Sequence, residues 1–296
     1  MAVKKESSVV RLNLPEFGES VSYTGETVRL PRLVVPTIRV SYKDEGDEAR
    51  VCPKGEFVEY NQETKATTAL GKKIVIQILH HRQSLSAYKD LGGGKSESYY
   101  TPEISMKAKS APLFMAKADA SGRQNQYLME GEIKKDGSLR TSFPDLRYQR
   151  SLYVLHNGVL KNLVVYGASF SGFIDFTKSI QGKSSASVTI ELTTKKEKTG
   201  AVVYFPMVFT AKDVVDMKVL EPTLKQLSDW FDELDKRISA QQTERAEQRA
   251  NDRGDEPVKA EESVYKYDPA PKDTELESVF DEPKKVTAEE AEKALG

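Results

Sequence analysis

Up to about residue 210 the apolar residues recur mostly at every second position, and beyond Leu220 at steps of three and four. The first period is that of strands and the second that of a helix, which predicts a β-rich body followed by a helical extension. The strongest strand signal is KKIVIQILHHRQ, where Ile74, Ile76 and Ile78 share a face. Upstream, VRLPRLVVPTIRVSYK is β-branched, but Pro31 and Pro36 cannot donate to a ladder and predict an edge strand or two short ones. RYQRSLYVLH, Asn157-Gly158 and VLKNLVVYGA form the clearest hairpin, because a type I′ turn needs positive φ at both central residues. SFSGFIDFTKSI spaces Phe170, Phe173, Ile174 and Phe176 as a short helix. In SVTIELTT, Val188, Ile190 and Leu192 alternate with polar residues. KKEKTG then turns the chain into AVVYFPMVFT, a second hairpin whose outgoing strand Pro206 marks as an edge or bulge. APLFMAK and QYLMEGEI read as short strands, and 84–110, with its GGG, SES and proline, as a long loop.

Leu220, Leu224, Leu227, Phe231, Leu234 and Ile238 trace an a/d seam over nearly three heptads, with Pro222 expected in the first helical turn. That seam predicts a buried face, either between chains or against the body, centred on Leu227 and Phe231. From Gly254 prolines and carboxylates dominate, which predicts disorder. Four regions result: a flexible arm at 1–27, a β body at 28–211, a heptad-bearing helix at 212–253 and a disordered acidic tail at 254–296.

Charge changes this picture. The net charge of −1 conceals about +8 over 1–220 and about −9 over 221–296. A basic body with an acidic tail predicts a polyanion-binding surface and an internal competitor for it. The opening residues lack the apolar core of a signal peptide, no stretch approaches a membrane span, and the one cysteine, Cys52, permits no intramolecular disulfide. The expectation is a cytoplasmic protein with no membrane partner.

Catalytic motifs are weak. Gly94-Lys95-Ser96 resembles the end of a phosphate-binding loop, but Lys89 stands where the pattern needs glycine, and ESYYTPE is a poor helix. His80 and His81 are adjacent and would face apart on a strand, while His156 ends a hairpin strand. No HExxH, GxSxG or CxxC occurs. We therefore expect no enzyme activity, no metal and no cofactor.

What remains is a set of basic residues beside aromatic ones: Arg82 with Tyr88, Lys95 with Tyr99 and Tyr100, Arg147 with Tyr148, and Arg150 with Tyr153. Cations that track phosphates and rings that stack on bases together hold single-stranded nucleic acid. The nucleic-acid-binding candidates are Tyr99, Tyr100, Lys107, Arg147 and Arg150, with Lys72 and Arg82 behind them. Tyr99 and Tyr100 are favoured because their segment reads as a polar loop.

The order KKIVIQILHHR, RYQRSLYVLHNGVLKNLVVY, SFSGFIDFTKSI and VVYFPMVFT resembles phage single-stranded DNA-binding proteins of the T7 type, over roughly 28–211. The resemblance implies a mainly β, OB-like antiparallel barrel with a short inserted helix. It also implies sequence-independent DNA binding in replication or recombination, and an acidic tail that occupies the DNA groove until DNA or a replication partner displaces it. Phe280, in ELESVFDE, is the expected partner-binding aromatic; this chain itself ends EEAEKALG. The rival expectation is a structural or scaffolding (viral) protein that forms a homo-oligomer through Leu227 and Phe231.

Overall fold

A computed structural model describes residues 12, 14, 33–42, 52–119, 122–180 and 182–253, and the side chains of these except 118–125 and 241–253. The predicted tail with Phe280 and nearly all of the arm lie outside the described residues. In chain order the first strands are β1 (Thr37–Val40), β2 (Phe57–Tyr60), β3 (Thr67–Gly71), β4 (Lys73–Gly92), β5 (Lys95–Tyr100), β6 (Ile104–Ser105), β7 (Ser110–Asp119) and β8 (Gly122–Glu132). Then come helix α1 (Ser138–Ser142), β9 (Arg147–His156), β10 (Val159–Tyr166), α2 (Ala168–Ser179) and β11 (Val188–Thr194). The chain continues through β12 (Glu197–Thr199), β13 (Val202–Tyr204), β14 (Met207–Val214) and the long α3 (Met217–Arg253).

The Asn157-Gly158 turn forms as its chemistry requires, with φ of 52° and 74°, and sets His156 opposite Val159. β9 then pairs with β4, whose twenty residues tie the molecule together. Its first residues pair with β11, its middle with β9 and its last with β5. The result is one twelve-stranded sheet running β3-β2-β1-β10-β9-β4-β5-β7-β8, with β6 and β11 also pairing with β4 and β14 pairing with β11.

The protein is thus mainly β, as its alternation predicts, but two expectations of the barrel need correction. β1 runs parallel to β10, so the sheet is mixed rather than antiparallel, and among the described residues it does not close. Pro36 does not make an edge either. The strand begins just after it, at Thr37, and lies between β10 and β2, while the Pro36 carbonyl accepts from the Asn162 amide. A proline just before a strand has no ladder bond to lose.

The stretch 84–110 is not a loop. β4 continues to Gly92, turns through three glycines with φ of 75°, 59° and 76°, and returns as β5. Glycine adopts these left-handed conformations without steric cost, so the GGG run is a hairpin tip. The second hairpin forms as β11 and β14, with a small β12–β13 ribbon inserted; AVVYFPMVFT breaks at Pro206, and β14 pairs only with β11.

A bulge at Leu79 decides which side chains meet. Ile78 pairs with Val154 but His80 pairs with Tyr153, so one extra residue enters β4. Before the bulge the even positions Ile74, Ile76 and Ile78 face the main core; beyond it Leu85 points to that side, and Leu79 turns to the other. The main core lies under α2, which contributes Phe173 and Phe176 against Ile76, Leu152 and Phe209. Gly172 permits that approach, since a Cβ there would stand 2.7 Å from the Met207 carbonyl oxygen.

α3 starts at Met217, inside the predicted 212–253 segment but one turn ahead of where a first-turn proline would place it: Asp216 caps it by accepting from the Lys218 amide at 3.0 Å, and Pro222 sits in the second turn. Its seam packs against its own sheet. Leu220, Leu227, Phe231, Leu234 and Ile238 are buried with Leu79, Tyr153, Leu155 and Leu160, and Leu224 is half-buried. Leu12, expected in a loose arm, is buried in the same cluster, and its backbone exchanges hydrogen bonds with the Gln226 amide. Among the described residues no helix is long and apolar enough to cross a membrane.

Candidate nucleic-acid interface

Residues directly opposite one another on neighbouring strands point to the same face. Register therefore assembles a row that crosses five strands: Arg147 opposite Ser86, Ser86 opposite Tyr100, Tyr100 opposite Phe114, and Phe114 opposite Tyr127. Tyr100 stacks on Phe114 at 5.8 Å, and Tyr127 meets Phe114 edge-on at 5.7 Å. One step further along β4 on the same face is Tyr88, 69% exposed, opposite Ser98. Ser84, Ser86, Ser96 and Ser98 leave this face shallow between the rings. Phe114 is itself fully buried and backs the part-exposed Tyr100 and Tyr127, so the groups this face offers to phosphates and bases are the exposed Arg147 and Tyr88 with the part-exposed edges of Tyr100 and Tyr127.

The same face continues under α3. There Arg82, 1% exposed, gives a two-pronged pair to Asp235 at 2.7 and 2.5 Å and a third hydrogen bond to the Glu103 carbonyl at 2.7 Å. Phe231 lies over the Arg82 guanidinium and stacks on His80 at 4.5 Å. Burial, and then Arg82, pull the pKa of His80 down to about 3, so it is neutral at neutral pH. The Glu103 carboxylate accepts from Ser151 at 2.6 Å, from the Tyr153 hydroxyl and from Asn162 at 3.3 Å.

Of the seven predicted contacts, Tyr100 and Arg147 share the row. Tyr99 lies on the opposite face, half-buried against Phe143 at 5.4 Å, with its hydroxyl on Glu97. Both tyrosines stand on β5 rather than a loop. Arg82 is on the right face but beneath α3, and Arg150 is buried on the opposite face, facing α2. Lys107 is exposed after β6, and Lys72 is exposed between β3 and β4, 3.9 Å from Glu56; neither belongs to the row. Tyr88 and Tyr127 are the residues that sequence reasoning passed over. Reading GGG as a hairpin tip would have placed Tyr88 beside Tyr100.

His80 and His81 do face apart, toward Phe231 and Phe173 respectively. His156 sits in a third environment, 3.2 Å from Lys161, which is paired with Glu59. No family model matches the chain, and no curated protein or solved structure matches it either.

Proposed function

We propose that this protein binds single-stranded DNA without sequence preference, as a non-enzymatic accessory of replication or recombination. The observation that carries the reading is the cross-strand row from Arg147 to Tyr127, with Tyr88 exposed beside it. Arg147 on this face meets the backbone, and Tyr88, with Tyr100 and Tyr127, stacks on bases of any identity. An OB-like body belongs to the same proposal, since that fold is itself only partly closed. Scaffolding through the heptad seam is the weaker reading, because that seam is filled by the chain's own sheet.

Fluorescence anisotropy of a labelled oligo-dT tests the proposal. Binding should fall with salt along a log–log slope of roughly −0.7 per neutralised phosphate. Tyr88→Ala should weaken binding by about 5- to 150-fold, equivalent to the roughly 1–3 kcal/mol that one base stack contributes, with an unchanged melting temperature. No binding at low salt by a chain ending at Arg253 would overturn the reading.

The acidic tail is proposed to compete for this face and to recruit replication proteins through Phe280. Ending the chain at Arg253 removes about seven net negative charges. Affinity for oligo-dT should then rise, most at low salt, because the tethered carboxylates no longer compete at high effective concentration. The gain should shrink near physiological salt, where screening acts within about 8 Å. Equal affinities with and without the tail at every salt concentration would reduce it to a solubilising segment.

A further inference from the structure

Two guanidiniums are buried at neighbouring positions of the β4–β9 pair, on opposite faces of the sheet. Arg82 stands opposite Ser151, Arg150 stands opposite Gln83, and each is 1% exposed. Arg82 meets a carboxylate and a carbonyl. Arg150 meets neither: its Nε and Nη2 have no hydrogen-bond partner in the protein, and it forms no ion pair among the described residues. It lies instead between the rings of Phe170 at 5.3 Å and Phe173 at 5.4 Å. Ring faces attract a cation far less than desolvation of an unpaired ion costs, and a guanidinium cannot escape by losing its proton.

The surroundings make the imbalance worse. Phe170 and Phe173 belong to the first half of α2, whose N-terminal Gly167 has no side-chain cap and whose dipole presents positive charge there. His81, edge-on to Phe173 at 5.7 Å, is held neutral, its pKa pulled to about 3 by burial and then by Arg150. Its Nε2 is 2.9 Å from the Ser185 hydroxyl. Phe170, His81 and Ser185 are all part-exposed, so the cluster borders solvent.

We propose that Arg150, with His81, Ser185 and the first turn of α2, forms a binding site for a phosphate group. An oxyanion here would give the two orphaned guanidinium groups their acceptors in the forked geometry that arginine offers phosphates. The site faces α2, across the sheet from the row proposed for DNA, and does not rest on that proposal. Its phosphate could come from free inorganic phosphate or from a nucleic-acid backbone.

The test follows the side-chain Nε–Hε resonance of Arg150 in the full chain. One arm adds inorganic phosphate, another adds oligo-dT, and a third adds chloride at matched ionic strength. A shift with inorganic phosphate beyond the chloride control supports a free-anion site, and a shift with oligo-dT alone supports a backbone phosphate. Phosphate should also raise the melting temperature of the wild type but not of Arg150→Met. In phosphate-free buffer that variant should melt no lower than the wild type, because an apolar chain of similar length replaces an uncompensated charge. No shift in either ligand arm overturns the proposal and leaves Arg150 as a hydrated core residue; should Arg150→Met fail to fold, the wild-type resonance decides alone. Oligo-dT binding retained without any Arg150 shift would sink this site while sparing the DNA reading.

Discussion

A chain carrying both Leu227→Asp and Phe231→Asp should lose its cooperative thermal transition at ordinary temperatures. Both side chains are essentially unexposed, set among Leu79, Tyr153, Leu155 and Leu160 on one side and the rest of the α3 seam on the other. Truncation to Ala alone costs about 2–5 kcal/mol for a buried leucine and about 3–5 for a buried phenylalanine. Aspartate adds the cost of a charge in hydrocarbon, so the pair removes an amount comparable to the roughly 5–15 kcal/mol that holds a domain folded. Phe231 also supplies the ring that stacks on His80 and lies over Arg82, so its loss removes that cover from both polar groups. Circular dichroism melts and light scattering separate the alternatives. A lower transition at unchanged molecular mass fits a seam closed within the chain. A halved mass with an intact melt would mean that the helix packs between chains instead.

The heptad spacing shows that α3 has an apolar face, but a periodicity carries no information about what covers it. Hydrophobic matching alone permits a second helix or a sheet. The sheet covers it here because the bulge at Leu79 turns both Leu79 and His80 toward α3, where strict alternation would have sent His80 to the main core. A one-residue insertion in a twenty-residue strand leaves no mark in composition, and the run ILHH reads equally well without it. The Asn-Gly hairpin, by contrast, was legible because its turn demands positive φ from two adjacent residues, a requirement few sequences satisfy.

Legibility of the candidate interface has the same limit. Adjacent residues on a strand face apart, a rule that separates His80 from His81, and it must also separate Tyr99 from Tyr100 once 95–100 is a strand. Polar composition conceals that strand: KSESYY looks like a loop because its neighbours β4 and β7 supply the ladder and only one face touches the small core around Leu85 and Leu113. The row from Arg147 to Tyr127 joins residues up to 61 positions apart through four registers, none of which local pattern fixes.

The buried pair of Arg82 and Asp235 should respond unequally to loss of its two members. Asp235→Ala strands a guanidinium that is 1% exposed, leaving it only the Glu103 carbonyl and the Phe231 ring, whereas Arg82→Met strands a carboxylate whose side chain is 27% exposed and can turn toward water. Breaking a buried pair by removing one partner costs about 3–5 kcal/mol when the remaining charge stays buried. Asp235→Ala should fall in that range and Arg82→Met well below it. Replacing both, Arg82→Met with Asp235→Leu, should recover most of the loss, because desolvation of the two charges offsets most of their attraction. Urea melts of the four chains form a double-mutant cycle in which the coupling appears as non-additivity. The cycle also states what the pair is for. Apolar contacts hold α3 to the sheet by burial alone and tolerate sliding, while a two-pronged pair has one geometry and fixes the helix in register over His80, Arg82 and Tyr153. Recovery of stability in the double variant, with its Phe231–His80 contact broadened or lost in NMR spectra, is the expected result. Additive losses in the cycle would mean that Arg82 and Asp235 are energetically independent, and that α3 takes its register from packing alone.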